Sequence, residues 1–373
     1  MDDNDKQIAP SSDRLLSLDI LRGFDMMWIT GGEGLIHALA VATGWSVFEG
    51  MSHQLHHVEW AGFVFYDLIF PLFMFISGVA IPFALSSKLE QGVPRMALFK
   101  KVARRLGLLV LLGIIYNQFW LNDWANPRIA SVLAQIGVGY FFAAIIFMQS
   151  RRFQGLLLWL AGILIGYGIL QLWVPVPGFG PGVLTREGSI NAYIDQLLLP
   201  GMLLRETFDP EGVLNMLSGT GITLMGVIAG LILRKEEWAP YRKVLLLSAA
   251  GILLLLLAFL LKDSYPIIKR AWTSTFNLQA GGVSFLLMAL FYLVVDVWKY
   301  QRWGFYFKVI GVNAIAVYLG AQFIDIDYIV QGLIGGLTKH LGDWGEVWMS
   351  VGYLVLVWAG LYILYRKKIF IKV

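Results

Sequence analysis

A histidine lies where a hydrophobic stretch of the chain begins: His57 precedes Trp60, Gly62, Asp67 and Pro71 in a segment that is otherwise almost entirely apolar. An imidazole at such a boundary can exchange protons with water and still face a dry, protein-lined cavity. It can remove a proton from a substrate as a general base, or attack an acyl group itself as a nucleophile. The position therefore indicates a candidate catalytic residue, and the spacing alone leaves both routes open.

The surroundings of His57 suggest a metal site as an alternative, because His53 and His56 precede it. His53 and His57 share a helical face only if this segment is a helix, and no carboxylate completes a zinc pattern, so we expect no metal. A helix from residue 57 to residue 67 would rise about 15 Å. We therefore do not expect Asp67 to contact the imidazole, and predict that it pairs with Arg128, which lies at a similar depth.

The composition determines the class of protein. Of 373 residues, 58% are hydrophobic and 14% are charged, which leaves too little polar surface for a soluble globule. We predict an all-α, polytopic transmembrane helical bundle. About ten runs approach the spanning length of about 20 residues, at 18–42, 63–86, 103–121, 129–149, 154–174, 212–233, 244–261, 273–296, 307–325 and 346–365.

The basic residues predict the orientation of these spans, because Lys and Arg are retained on the cytoplasmic side. With both termini inside, 22 of the 29 basic residues are cytoplasmic. The net charge of +4 then needs no nucleic-acid partner. We expect a disordered cytoplasmic tail at 1–13 and one transmembrane domain at 14–373. The absence of cysteine excludes disulfides and thiolate chemistry.

Polar residues within spans are few, and each needs a partner or water. Asp19, Arg22 and Asp25 are spaced by three at the inner end of the first span, where they either neutralise one another or line a cofactor entrance. Gln135 and Asn313 are amides in the fourth and ninth spans, where they join helices or contact a ligand. The outer loop from Val174 to Glu211 has the length of a lid or binding element.

Several motifs occur in a fixed order along the chain, from about residue 14 to the last span. They are Ser17-Leu-Asp19-Ile-Leu-Arg22-Gly23, the His57 to Asp67 segment, Pro71 to Gly78, Arg128 to Gly137, Phe208-Asp-Pro-Glu-Gly212, Pro266 to Ser274, and Gly311 to Ala314. This ordered set resembles the heparan-α-glucosaminide N-acetyltransferase family of transmembrane acyltransferases, including its bacterial DUF5009-like members.

The resemblance implies a helical membrane bundle that transfers an acetyl group from cytoplasmic acetyl-CoA to the amine of a terminal glucosamine on the far side. It makes His57 the catalytic histidine. An imidazole, with a reference pKa of about 6.5, can accept the amine proton near neutral pH. The candidate residues are His57, Asp67 and Asn313 for catalysis; Arg22, Lys100, Lys101, Arg104, Arg105 and Gln135 for acetyl-CoA; and Glu33, Trp60, Arg128, Lys269 and Trp272 for the acceptor.

Two of these assignments have alternatives. Asn313, Gln135 or the amides near Gly31 and Gly32 could stabilise the oxyanion of the acetyl group. The basic cluster that begins at Lys100 could hold the CoA phosphates, although cytoplasmic retention alone explains it.

The chain departs from the family at two positions. Members of the family usually carry Asn at the position of Glu33, and often carry Asn at the position of Ile268. Two other functions stay open, an O-acyltransferase that modifies a glycan hydroxyl, and a glycan or lipid transporter, although no inverted repeat supports the latter. We expect acetyl-CoA, an amino-sugar or glycan acceptor and the lipid bilayer as partners, with a homodimer possible, in a bacterial inner membrane.

Overall fold

A computed structural model describes residues 15–371, so the tail expected at 1–13 lies outside the described residues. The described chain is helical, and fifteen α-helices follow one another. They are α1 Leu16–Met27, α2 Glu33–Thr43, α3 Ser46–Gln54, α4 Phe65–Glu90, α5 Arg95–Leu121, α6 Val132–Gln149, α7 Phe153–Trp173, α8 Ile190–Leu198, α9 Val213–Arg234, α10 Pro240–Leu261, α11 Ser274–Phe291, α12 Phe305–Gly311, α13 Ala314–Phe323, α14 Ile326–Thr338 and α15 Trp344–Arg366.

Seven helices in the described part are long and apolar enough to cross a membrane. They are α4, α6, α7, α9, α10, α15 and α11 with its π-helical continuation to Val297. The segment Arg302–Gly311 and α13 are bent by 62° and add an eighth if they form one broken span. The prediction of an all-α polytopic bundle is therefore confirmed.

The other two predicted spans have the following form. The run at 18–42 divides into α1 and α2, because the π-helical segment Trp28–Gly32 between them contains Gly31 at φ +111°. The run at 103–121 lies within α5, a helix of 27 residues. The exact number of ten spans stays a prediction.

The centre of the bundle is the crossing of α4 and α9. A Cβ atom on Gly78 would lie 2.0 Å from the carbonyl oxygen of Thr223, and one on Gly226 would lie 2.0 Å from that of Phe75. Only glycine permits so close a backbone approach, which is a common way for membrane helices to pack. The two helices are largely buried, and α6 packs against both.

The periphery consists of α7, α10 and α15, of whose spanning residues only about a fifth are buried. Leu158, Leu245 and Leu260 are each more than 60% exposed. Exposed leucines at this density are unfavourable in water but not in hydrocarbon. These three helices therefore face the bilayer, as expected for an integral membrane protein.

The first helix packs on α12 through glycines as well, since Gly23 meets the carbonyl of Phe307 and Gly311 meets that of Asp19. Arg22 lies 3.6 Å from the Asp19 carboxylate, as their spacing of three predicts. Asp25 is fully buried, and neither of its carboxylate oxygens has a hydrogen-bond partner among residues 15–371.

Connections at one end of the bundle are long and irregular. The segments 55–64, 174–189, 199–212 and 262–273 precede or follow α4, α7, α9 and α11. Isolated backbone bridges hold them, including one between Ala61 and Ile268. Polar and aromatic side chains converge at this end, which the charge pattern predicts to be outside the cell.

The predicted orientation can be tested by cysteine labelling, because the chain has no cysteine of its own. Lys101 in α5 and Glu187 in the outer loop are both exposed. We expect a membrane-impermeant maleimide to label Glu187→Cys in intact cells, and Lys101→Cys only after permeabilisation. The reverse pattern would contradict the assignment of sides.

Candidate active site

The segment that carries His57 is not a helix. The chain between residues 57 and 64 is extended or turned, and α4 begins only at Phe65. Gly62 adopts φ +127°, which favours glycine strongly. Its N–H donates to the carbonyl of Ile267 at 2.9 Å. This turn folds the segment back over the beginning of α4.

The fold-back brings His57 onto Asp67. Nδ1 of His57 lies 2.7 Å from Oδ1 of Asp67, and the other carboxylate oxygen accepts the N–H of Val64 at 3.3 Å. The expectation that these two side chains cannot meet was wrong, because it assumed a continuous helix from 57 to 67. Since an ionised carboxylate only accepts, the Nδ1–H donates and Nε2 keeps its lone pair.

Lys269 completes this cluster from the segment before α11. Its Nζ lies 3.3 Å from Oδ1 of Asp67 and 3.3 Å from Nδ1 of His57. Burial lowers the pKa of the Lys269 ammonium below its usual value, and the neighbouring Asp67 carboxylate opposes this only in part. A cation that is poorly solvated thus lies beside the imidazole.

Arg128 does not pair with Asp67, and that prediction was wrong. Its Nε donates to Asp209 at 2.7 Å, and its Nη2 donates to Asp209 at 2.6 Å and to Glu211. Arg128 precedes α6, on which the turn before α9 packs, whereas Lys269 reaches Asp67 from the α11 side. Similar depth in the membrane therefore did not identify the partner.

These ion pairs are buried, and burial affects the pKa values of Arg128 and Glu211. Burial would lower the pKa of Arg128, but its bonds to the two carboxylates outweigh this and raise it. Burial raises the pKa of Glu211 to about 7 despite the adjacent Arg128. Burial also raises the pKa of Asp195 to about 7, although its carboxylate accepts the N–H groups of Asp209 and Val213. Two carboxyl groups near the site thus titrate close to neutrality.

A cavity of about 180 Å³ opens beside the imidazole. Trp60 forms one wall, with its indole N–H donating to the carbonyl of Leu184 at 2.7 Å and its ring edge-on to Phe208. Trp272 forms another, packed edge-on against Phe70. The lining residues are His57, Val58, Trp60, Asp67, Phe70, Leu204, Arg205, Pro210, Glu211, Lys269, Arg270 and Trp272. Aromatic walls with a few convergent charges are typical of a small-molecule site.

The turn that carries Lys269 is held rigidly from behind. The carbonyl of Ala271 accepts from Tyr167 at 3.0 Å and from Gln171 at 2.9 Å. Asn215 donates to the carbonyl of Arg270 at 2.9 Å, and Ser218 donates to that of Trp272 at 2.7 Å. These buried hydrogen bonds occupy the backbone of the turn and leave its charged side chains facing the cavity.

Glu33 reaches the site through a tyrosine that sequence reasoning missed. The Tyr66 hydroxyl is hydrogen-bonded to the Glu33 carboxylate. The Tyr66 ring packs on the His57 imidazole, with centroids 4.8 Å apart. Glu33 therefore lies beside Tyr66 and does not line the cavity. No pattern pointed to Tyr66, whereas Glu211 lies within a motif that was recognised.

Two candidate amides are not brought to His57. Gln135 is buried and donates to the carbonyl of Asn215 at 3.1 Å, so it joins α6 to α9. Asn313 lies at the break between α12 and α13, where it donates to Ile369 at 3.2 Å and accepts from the N–H of Ile371 at 3.1 Å. Its amide is engaged by the chain that follows α15, so it supplies no oxyanion donor at the imidazole in this arrangement.

The basic candidates for acetyl-CoA lie elsewhere as well. Lys100, Lys101 and Arg104 are exposed near the beginning of α5, and the Arg105 guanidinium lies over the Tyr140 ring at 3.9 Å. Arg22 is near Asp19 at the beginning of α1. Their role toward CoA stays a prediction.

The neighbouring histidines have separate partners. His56 Nδ1 bonds the carbonyl of Ser52 at 2.8 Å, and its ring lies 4.4 Å from that of His37. His53 is exposed. In the part of the chain that the structure describes, no group of three or more His, Asp or Glu side chains could hold a metal ion.

A larger groove of about 530 Å³ lies between α1, α3 and the beginning of α4. Its lining is almost wholly apolar, with Phe24, Trp28, Val47, Met51 and Phe65 among the lining side chains. It offers no titratable group, so the smaller cavity beside His57 is the candidate active site.

Comparisons with known proteins are consistent with this geometry. Residues 14–179 match a family described as a domain of unknown function, DUF5009. The chain is 29% identical to human heparan-α-glucosaminide N-acetyltransferase over 85% of its length, and 28% identical to the mouse protein over the same share. A WAT1-related protein of Arabidopsis thaliana is 24% identical over 76% of the chain and 81% of that protein.

The chain spans about half the length of the mammalian relatives, 55% of the human protein and 56% of the mouse protein. The resemblance that the sequence motifs indicated is thereby confirmed: the chain is similar to the heparan-α-glucosaminide N-acetyltransferases.

Proposed function

We propose that this chain is a membrane-embedded N-acetyltransferase, which moves an acetyl group from cytoplasmic acetyl-CoA to the amine of an amino sugar on the outer side. The observation that carries the proposal is the 2.7 Å contact between His57 and Asp67 at the wall of an aromatic cavity. A bacterial inner membrane is the expected location. The similarity to the mammalian N-acetyltransferases supports the reaction class.

The His57 and Asp67 pair suits acyl transfer. The carboxylate accepts the Nδ1 proton, so it fixes the tautomer and stabilises positive charge on the ring. Nε2 is then free to act. As a nucleophile, it attacks the thioester carbon, the C–S bond breaks, and CoA leaves. The acceptor nitrogen next attacks the acetyl carbon, the bond to Nε2 breaks, and the amine proton is lost.

The general-base route uses the same atoms in a single transfer. Nε2 takes a proton from the acceptor amine while the amine nitrogen attacks the thioester carbon and the C–S bond breaks. The proton then passes to the departing CoA thiolate. In both routes acetyl-CoA and amine give amide and CoA. The Lys269 ammonium, close to the imidazole, is the cation best placed to stabilise the oxyanion that develops on the acetyl group.

The cavity suits an amino sugar as acceptor. Trp60, which is only partly buried, offers an apolar ring surface for the sugar, as aromatic side chains do in many ligand pockets. Glu211 lines the same cavity and can pair with the acceptor ammonium when it is ionised. Because its pKa is near 7, it can also take up the amine proton near neutral pH.

Removing the imidazole tests the proposal. His57→Ala should lower kcat for acetylation of glucosamine by about 10²- to 10⁴-fold, because both routes use Nε2 as the reacting atom. Acetyl-CoA binding, measured by calorimetry on purified protein, should be largely retained. Asp67→Asn should also lower kcat, because the amide cannot fix the tautomer or balance the Lys269 charge.

The adjacent histidines provide matched controls. His53→Ala and His56→Ala should stay near wild-type activity, because neither side chain lines the cavity. Loss of turnover in His53→Ala with His57→Ala unaffected would refute the assignment. Labelled acetyl on a hydroxyl rather than on an amine would instead favour an O-acyltransferase.

The pKa of Glu211 predicts a pH dependence for acceptor binding. An acid with a raised pKa is protonated below that value and charged above it, so its carboxylate should attract the acceptor ammonium only above about pH 7. The KM for glucosamine should therefore fall between about pH 6 and about pH 8. Glu211→Gln should remove most of this change, whereas Glu206→Gln, at an exposed position of the same loop, should not. An unchanged profile in Glu211→Gln would exclude Glu211 from acceptor binding.

A further inference from the structure

A cluster of basic residues lies where α4 ends and α5 begins, at the end of the bundle predicted to be inside. Lys100, Lys101 and Arg104 are exposed near the beginning of α5, and Lys88 lies beside Lys101 at the end of α4. Within residues 15–371, none of these four side chains forms an ion pair with a carboxylate. The described chain therefore leaves their positive charge unpaired.

The members of this cluster lie close to one another. The Lys88 ammonium lowers the pKa of Lys101, and partial burial and the Arg105 guanidinium lower it further. Arg105 itself is packed over the Tyr140 ring at 3.9 Å, so its position is defined. Like charges this close repel one another, and an anion that binds between them relieves the repulsion.

Other basic residues predicted to be inside have partners of their own. Arg234 donates to the Glu90 carboxylate at 3.2 Å and 3.3 Å. Lys243 donates to the carbonyl of Leu233 at 2.8 Å, near the end of α9. Retention of positive charge in the cytoplasm applies to all of these residues alike. It does not explain why the cluster at α5 is both crowded and unpaired.

An exposed apolar stripe continues from the cluster along α5. Leu108, Leu111, Ile115 and Phe119 are 39%, 53%, 37% and 54% exposed. Counted from Arg104, the spacings are four, three, four and four, which places all five residues on one helical face. The rise from Arg104 to Ile115 is about 16 Å, close to half the thickness of the hydrocarbon core. The stripe thus has the length of one leaflet.

We propose that this face of α5 binds an anionic phospholipid of the inner leaflet, with its phosphate at Lys88, Lys101 and Arg104 and an acyl chain along the apolar stripe. Ammonium and guanidinium groups donate well to phosphate oxygens. Clustered basic residues at the cytoplasmic face of a membrane attract anionic headgroups. Because no carboxylate of residues 15–371 is paired with the cluster, nothing there favours the cationic part of a zwitterionic headgroup.

The apolar stripe also distinguishes a phospholipid from the acetyl donor. CoA carries phosphates but no long hydrocarbon chain, so it matches the cluster and not the stripe. A phospholipid matches both, and it reaches this surface from the bilayer. The four basic residues do not line the cavity beside His57, so the lipid site is separate from the candidate active site.

The experiment measures lipid binding to the full chain purified in detergent. Phosphatidylglycerol and phosphatidylcholine with the same acyl chains are titrated separately, and bound lipid is counted by native mass spectrometry. Wild type should bind phosphatidylglycerol about tenfold or more tightly than phosphatidylcholine. Lys101→Gln and Arg104→Gln should each weaken phosphatidylglycerol binding about fivefold, and the double variant about 25-fold, the effect of one and two basic residues at an anionic headgroup. Lys101→Arg keeps the charge and should bind as wild type does.

A matched control removes two positive charges elsewhere on the same side. Lys367 and Lys368 are exposed at the end of α15, which also faces the bilayer. The double variant Lys367→Gln and Lys368→Gln should bind phosphatidylglycerol as wild type does. An equal loss in this control would show a general attraction to the positive side of the protein and would overturn the site. Equal binding of the two lipids by wild type would also overturn it.

CoA separates the lipid from the acetyl donor. Excess CoA should leave phosphatidylglycerol bound to wild type, because the lipid is also held by its acyl chain. Displacement of the lipid by CoA would assign the cluster to the phosphates of the donor and overturn the inference. The lipid measurements do not depend on the proposed function. If wild type acetylates no amine, the reaction is wrong, whereas the preference for phosphatidylglycerol still decides the lipid site.

Discussion

The site depends on one buried carboxylate. Asp67 is about 1% exposed in its side chain and lies in the first turn of α4. An ionised carboxylate removed from water is unfavourable unless other groups replace its hydration. Here the Nδ1–H of His57, the ammonium of Lys269 and the N–H of Val64 do so. Because these donors come from two segments of the chain, 55–64 and 262–273, satisfying one anion fixes the His57 imidazole, the beginning of α4 and the turn before α11 together.

The sequence was sufficient for the bundle but not for the ion pairs. Long apolar runs predict helices in lipid, because each backbone polar group must be satisfied within the segment. The close crossings at Gly78 and Gly226 could not be located, since many glycines occur in the spans. Pairing of Asp67 with Arg128 was inferred from depth alone. Depth gives the position along the membrane normal, whereas ion pairing also requires lateral neighbours, and those are set by helix packing.

The sequence identified most residues of the site but not the contacts between them. His57, Trp60, Lys269 and Trp272 converge on one cavity, and motif spacing had singled them out. The contact between His57 and Asp67 was missed, because Gly62 turns the chain where a helix was assumed. Tyr66 carried no signal, since a tyrosine beside a span boundary is common in membrane proteins. Asn313 was chosen as an amide within a span, and its position at a bent helix junction explains why it is bonded elsewhere.

The helices contribute electrostatics as well as position. Asp67 lies in the first turn of α4, Glu211 lies two residues before α9, and Thr273 caps α11 just after Lys269 and Arg270. A helix begins with unpaired N–H groups and carries partial positive charge at that end. Three such ends lie beside the cavity, which is lined by Asp67, Glu211 and Lys269. They favour the carboxylates of the protein in their ionised form, and they add to the field of Lys269 at the position where an oxyanion would develop. The acyl transfer proposed for this site needs that charge to be present before the reaction begins, and helix beginnings can supply it without rearrangement.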